Sequence, residues 1–201
     1  MKKRKNSFLD EISVLIDELY AENHATIMAY AWSRFDGLCA ENADESKAVQ
    51  MHTRSRIYPA ISVFEALVNC GVGREDAAQL ILDFYITRAQ KPGKVIQKLL
   101  KIPGLYKAVP NLFLIGVNKM FGPDAGFKAR HYGSKQGCFR MDMLECPYMS
   151  ICKKYGCPEI VPAFCASDDV AYGNMHPKLI WGRTKTLGRG DECCDFKLTV
   201  K

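Results

Sequence analysis

The spacing of apolar residues changes near Phe127, and that change limits what the chain can fold into. Before it, apolar side chains recur at helical spacing; after it, they alternate with polar ones as in strands. Phe8, Ile12, Leu15, Ile16 and Leu19 share one helix face, with Ser7 placed as N-cap and Asp10 and Glu11 in the first turn, where the dipole favours carboxylates. The pattern predicts a helix that runs on toward Phe35 and ends at Gly37. A second is predicted from Asp44 to Cys70, kinked or broken by Pro59 and stopped by Gly71. A third, residues 74 to about 90, puts Ala77, Leu80, Ile81, Phe84 and Tyr85 on one face. Pro92 and Gly93 then punctuate before a short fourth helix. There Val95, Leu99 and Ile102 line one side and Lys94, Lys98 and Lys101 another. Such a stripe usually means core on one side and water on the other, with an anionic membrane or a partner as the alternative. After Pro103 and Pro110, LFLIGVNKMFG reads as one more apolar helix, buried against the others.

Beyond Phe127, FKARHY and CFRMDML alternate as strands do, with GSKQG as the turn between them. Helical pieces follow at 148–155 and 162–171, and LIWGRTKTLG and CCDFKLTVK form a closing hairpin connected through RGDE. The expected fold class is α+β: an N-terminal helical layer packed on a C-terminal antiparallel sheet with short helices. One domain is expected over 1–201, with a helical part (1–122) and a sheet-containing part (123–201) that carries the site.

Composition supports a globular chain able to bury its own core, with 48% hydrophobic and 25% charged residues in 201. The start MKKRKNSFLDE is basic, but acidic and polar residues follow where a secretory signal would place an apolar run, so the protein is expected to be cytoplasmic. No stretch approaches the roughly 20 apolar residues of a membrane span, and no transmembrane segment is expected. The nine cysteines, seven of them in the last 64 residues, therefore argue against a disulfide framework. The net charge of +6 is concentrated in Lys2, Lys3, Arg4 and Lys5 and in six cations between Arg88 and Lys107. No nucleic-acid reading motif accompanies them, so nucleic acid is not an expected partner; a small-molecule substrate is, and a homo-oligomer is compatible with the sequence.

Three groups of residues could carry chemistry. In the closing strand, period two sets Cys194, Phe196, Leu198 and Val200 on one face, so Cys194 is the expected buried member of the Cys193–Cys194 pair. In CASDDVAYGNMHP, a helix would align Cys165 with Asp168 and Asp169. Carboxylates alone raise a thiol's pKa, so these aspartates make better sense as a base or as partners of a cation. His176 is a candidate base or a structural histidine. Cys146, Cys152, Cys157 and Cys165 lack the C-x-x-C spacing of strong metal motifs, so no metal or cofactor is expected; a cysteine-ligated metal or iron–sulfur protein stands as an alternative, as does a non-catalytic small-molecule-binding module.

The run FGPDAGFKARHY and the later DMLECPYMSICKKYGCPEIVPAFCASDDVAYGNMHPKLIWGRTKTLGRGDECCDF resemble the L-2-amino-thiazoline-4-carboxylic acid hydrolase family, chiefly through C-x-x-D, R-T-x-T-L-G-x-G and the closing C-D-F. The resemblance implies hydrolytic opening of a carboxylate-bearing 2-amino-thiazoline ring to N-carbamoyl-cysteine. Carried onto this sequence, the motifs fall on Cys165, Asp168, Arg183, Thr184, Gly188, Gly190, Cys194 and Phe196. Attack at an amidine carbon needs a nucleophile, an acid for the leaving thiolate, a cation for the carboxylate and an anion for the amidinium. Cys194, Asp168, His176 and Cys165 are the expected catalytic residues. Cys194 attacks or positions water, Asp168 pairs the amidinium and His176 is the proton shuttle. Arg183 is expected to clamp the carboxylate bidentately, with Thr184, Asp169 and Asn174 as further substrate contacts.

Overall fold

The computed structural model describes residues 5–135 and 137–201. The basic start from Lys2 to Arg4, and Gln136 in the expected GSKQG turn, lie outside the described residues. The chain forms two compact units: residues 1–84 with 151–160, and residues 85–150 with 161–201.

The first unit is helical. Helix α1 (Ser7–Leu19) is capped by Asn6, whose side chain accepts from the backbone N–H groups of Phe8 and Leu9, so the cap falls one residue before the expected Ser7. The chain turns at residues 20–23, and a separate helix α2 (His24–Glu41) continues through Gly37. A glycine inside a helix costs only about 1 kcal/mol relative to alanine, and burial of Ile27, Ala31 and Leu38 outweighs it. Helices α3 (Lys47–His52) and α4 (Tyr58–Asn69) are joined by a π-helical turn, Thr53–Ile57. That widened turn adjoins Pro59, which sits in the first turn of α4, where a missing N–H goes unmissed. Gly71 closes the segment with φ +90°. Phe8, Ile12, Ile16, Ile61, Phe64 and Leu67 are buried at the centre of this unit.

Helix α5 (Arg74–Leu99) is continuous through Pro92, where the sequence predicted a break. One residue on, Gly93 packs against α8, where a Cβ would stand 3.4 Å from the carbonyl oxygen of Ala171, an ordinary van der Waals distance. The apolar stripe beyond it does not enter a core. Val95, Leu99 and Ile102 are 57%, 55% and 56% exposed, contrary to the expectation of a buried face. Helix α6 (Val109–Met120) is likewise only half buried, because Val109, Pro110 and Val117 face inward while Leu112 and Ile115 stand in solvent.

The second unit is built on a four-stranded antiparallel sheet of order β1-β2-β4-β3, comprising β1 (Lys128–Lys135), β2 (Cys138–Glu145), β3 (Leu179–Gly182) and β4 (Cys194–Val200). Helix α7 (Pro147–Lys154) follows β2, and α8 (Val161–Tyr172) precedes β3. Phe113 of α6 packs edge-on to Phe139 of β2 and Tyr172 of α8, so the helices cover one face of the sheet. The architecture is α+β.

The closing hairpin pairs as expected, but β3 stops at Gly182 and the connection is much longer than RGDE. The cause is Asp195. Its carboxylate accepts from the backbone N–H groups of Thr184 and Lys185 at 2.7 and 2.6 Å and from the Thr184 hydroxyl at 2.6 Å. A side chain thereby satisfies donors that a longer ladder would have used. Both cysteines of the doublet are buried, not Cys194 alone. Cys193 precedes the strand, and Asp142, Glu192, Lys185 and Asp195 lie near enough to act on it electrostatically.

Candidate functional site

Three thiols gather where α8, the start of β4 and the loop before it meet. The pivot is Thr186, a buried residue that sequence reasoning passed over. Its hydroxyl donates to Cys165 Sγ at 3.5 Å and lies 3.5 Å from Cys194 Sγ. The Asp191 carboxylate accepts the Thr186 backbone N–H at 2.7 Å and holds this loop in place. The Leu187 N–H donates to Cys194 Sγ at 3.3 Å, so that sulfur receives a backbone donor. A side chain at Gly188 would be tight: a Cβ would stand 3.1 Å from Cys165 Sγ and 3.2 Å from Val161 Cγ1.

Burial pushes the Cys165 thiol above its ordinary pKa, while the Thr186 hydroxyl and the Arg183 charge act in the opposite direction and Cys194 and Asp168 add to the rise. Cys146, half-buried like Cys165, has its pKa pushed up to about 12 by desolvation, against two backbone donors. Both are protonated thiols at neutral pH, and Cys165 is therefore an acid rather than a ready nucleophile.

Arg183 lies beside the thiols. Its side chain is 8% exposed, and Nη2 donates to the carbonyl oxygen of Cys165 and to Asp169 Oδ2, both at 2.7 Å. Burial disfavours its charge, but Asp169 outweighs that and holds the guanidinium pKa above its usual value. Nη1 is buried with no protein partner. A guanidinium nitrogen left so inside a protein is costly unless something else accepts from it. Asp169 also accepts from Trp181 Nε1 at 3.0 Å, and Trp181 packs with Phe113, Tyr172 and Phe196 at centroid distances of 5.2–5.5 Å. The Arg183 guanidinium stands 5.5 Å from the Phe196 ring centre. An aromatic wall thus flanks the cation.

The structure brings Cys165, Cys194, Arg183 and Asp169 into one cluster, with Asp168 close enough to act electrostatically on Arg183 and Cys165. It places the other candidates differently. Thr184 is exposed and bonded to Asp195. His176 stacks on Tyr106 at 4.6 Å with the rings 7° apart, and its Nδ1 accepts from the Lys178 N–H at 3.1 Å. Asn174 is exposed in the turn after α8, where its carbonyl accepts from Gln97 Nε2. The signal that could have found Thr186 was present: it is the second threonine of RTKTLGRG. Cys146 carried no such signal, since only the fold brings it near Cys165 and Cys194. Among the described residues, no group of three or more His, Cys, Asp or Glu side chains is placed to hold a metal ion. Nor is any helix among them long and apolar enough to cross a membrane.

Fold and site together define an α+β protein with two thiols bridged by a hydroxyl beside a buried guanidinium. The family model described as L-2-amino-thiazoline-4-carboxylic acid hydrolase matches residues 50–198, a span that includes every member of this cluster, and the chain belongs to that family. No curated protein matches it. An H-NOX protein from S. oneidensis, solved in the Fe(II)NO ligation state, aligns over 98% of this chain and 99% of its own at 11% identity with a TM-score of 0.30, a likeness too slight to carry an argument.

Proposed function

We propose that this protein hydrolyses a small carboxylate-bearing cyclic amidine of the 2-amino-thiazoline-4-carboxylate type, with the thiols of Cys194 and Cys165 in different roles. The observation that carries the reading is the Thr186 hydroxyl between them, 3.5 Å from each sulfur. Because Thr186 donates to Cys165, its oxygen is left to accept from the Cys194 thiol, which sets up a directed chain from Cys194 through Thr186 to Cys165.

Cys194 Sγ attacks the amidine carbon and the carbon–sulfur bond of the ring breaks. The proton of Cys194 passes to Thr186, that of Thr186 to Cys165, and that of Cys165 to the departing ring sulfur, which leaves as a thiol. Water then adds to the same carbon and Cys194 departs, recovering a proton, so the net change is addition of one water and formation of an N-carbamoyl group. Burial keeps Cys165 protonated, so its proton is in place for the departing sulfur when the transfers run in concert along the chain. Nη1 of Arg183 accounts for the substrate carboxylate, and Asp168 for the amidinium. Because Nη2 is held by Cys165 and Asp169, the carboxylate is met by one arm of the guanidinium. His176, bonded through Nδ1 and stacked on Tyr106, has no step in this scheme.

The test compares L-2-amino-thiazoline-4-carboxylate with 2-amino-thiazoline lacking the carboxylate, each incubated with purified protein and followed by mass spectrometry. Gain of one water by the first compound, with at most slow conversion of the second, supports the proposal. No turnover of either compound, or equal turnover of both, contradicts it.

A further inference from the structure

We infer that the outer face of the C-terminal half of α5, with the turn that follows it, docks on an anionic lipid surface. Lys94 and Lys98, four residues apart, form one row on the helix, and Val95 and Leu99 form a second row one residue on; Lys101 and Ile102 extend both into the closing turn. All six side chains are exposed. The apolar members are not incidental, because six of the twelve exposed large apolar side chains among the described residues lie between Val95 and Met120. The charge is one-signed: no carboxylate occurs between Asp83 and Asp124, while seven Lys and Arg residues do.

Three kinds of occupant could cover such a face, and its chemistry separates them. A second copy meeting it about a two-fold axis would crowd two one-signed lysine clusters together, and this segment has no carboxylate to pair them. A nucleic acid would satisfy the lysines but leave the aliphatic row without a role, and the nearby Tyr106 is stacked on His176 rather than offered to a base. An anionic bilayer surface satisfies both rows, with aliphatic side chains entering the headgroup boundary and ammonium groups meeting lipid phosphates and carboxylates. The match is to a surface, not to a span, since no helix among the described residues can cross a membrane.

The test is co-sedimentation of the full chain with vesicles of phosphatidylcholine alone and of phosphatidylcholine mixed with phosphatidylserine, at low and high salt. Binding is expected to the mixed vesicles only and to weaken with salt, and each Lys→Ala change at 94, 98 or 101 is expected to lower the partition coefficient about fivefold. The triple variant Val95→Ser, Leu99→Ser, Ile102→Ser is expected to fold, because these side chains are in solvent, and to lose binding to the mixed vesicles. Equal binding to neutral vesicles, no binding to the mixed ones, or unchanged binding by the folded triple variant overturns the inference. A dimer in solution that the triple variant abolishes also overturns it, and assigns the face to a second copy. If the variant does not fold, the lipid and salt dependence of the wild-type chain still decides.

Discussion

The hydroxyl of Thr186 lies 3.5 Å from the sulfur of Cys194, and the same hydroxyl donates to Cys165 across a loop that Asp191 and Gly188 hold in shape. Replacing Thr186 by valine keeps the volume and removes the proposed proton path. Turnover is expected to fall about a hundredfold with a small change in KM, and Thr186→Ser to recover most of it, as read from steady-state rates of ring opening.

Arg183 is a cation with a buried nitrogen that has no partner among the described residues. Lysine keeps the charge but cannot reach Cys165, Asp169 and a carboxylate with one planar fork. Arg183→Lys is expected to raise KM by about tenfold or more for the carboxylate-bearing substrate and to leave the poor turnover of an uncharged analogue unaltered. Comparing kcat/KM for the two substrates checks this.

At Gly188 the constraint is steric. Alanine there would bring a methyl group to 3.1 Å from Cys165 Sγ and 3.2 Å from Val161 Cγ1, so those two side chains must give by a few tenths of an ångström. Gly188→Ala is expected to cost about 1–3 kcal/mol in chemical denaturation. Turnover is expected to drop as well, because the relay geometry opens.

Stability should also report the buried thiols. The pKa of Cys146 is about 12 in the folded protein against an ordinary 9.0, so the fold prefers its neutral form. That preference stabilises the protein fully below the unfolded value and is lost as pH rises through the folded value. Between these limits the unfolded chain binds fewer protons, and stability falls by about 1.4 kcal/mol per pH unit for this one group. Urea denaturation of wild type and Cys146→Ala across this range is expected to show the shallower slope in the variant. Cys165 shifts in the same direction and adds to the wild-type decline.

Much of this was legible in the sequence, and the exceptions have physical causes. Apolar spacing located the helices, and alternation located the strands, because both follow from backbone geometry alone. The break expected at Pro92 did not occur, because a proline within a helical pattern can be carried through as well as end it, and local sequence does not separate the two. Val95, Leu99 and Ile102 had the spacing of a buried face, but periodicity says which side chains share a face and not whether anything covers it. The early end of β3 could not be read because Asp195 replaces its ladder from the opposite strand. At the site, motif residues marked the neighbourhood. The partner that links the thiols, Thr186, emerged only when α8 and β4 were placed on either side of it.

The most direct test of the account is the rate of ring opening of L-2-amino-thiazoline-4-carboxylate by Cys194→Ala, measured beside its thermal melting curve. The account predicts a wild-type-like melt with turnover reduced by at least about a thousandfold, because the attacking sulfur is gone while Thr186, Cys165 and Arg183 remain. An alanine variant that opens the ring at the wild-type rate contradicts it.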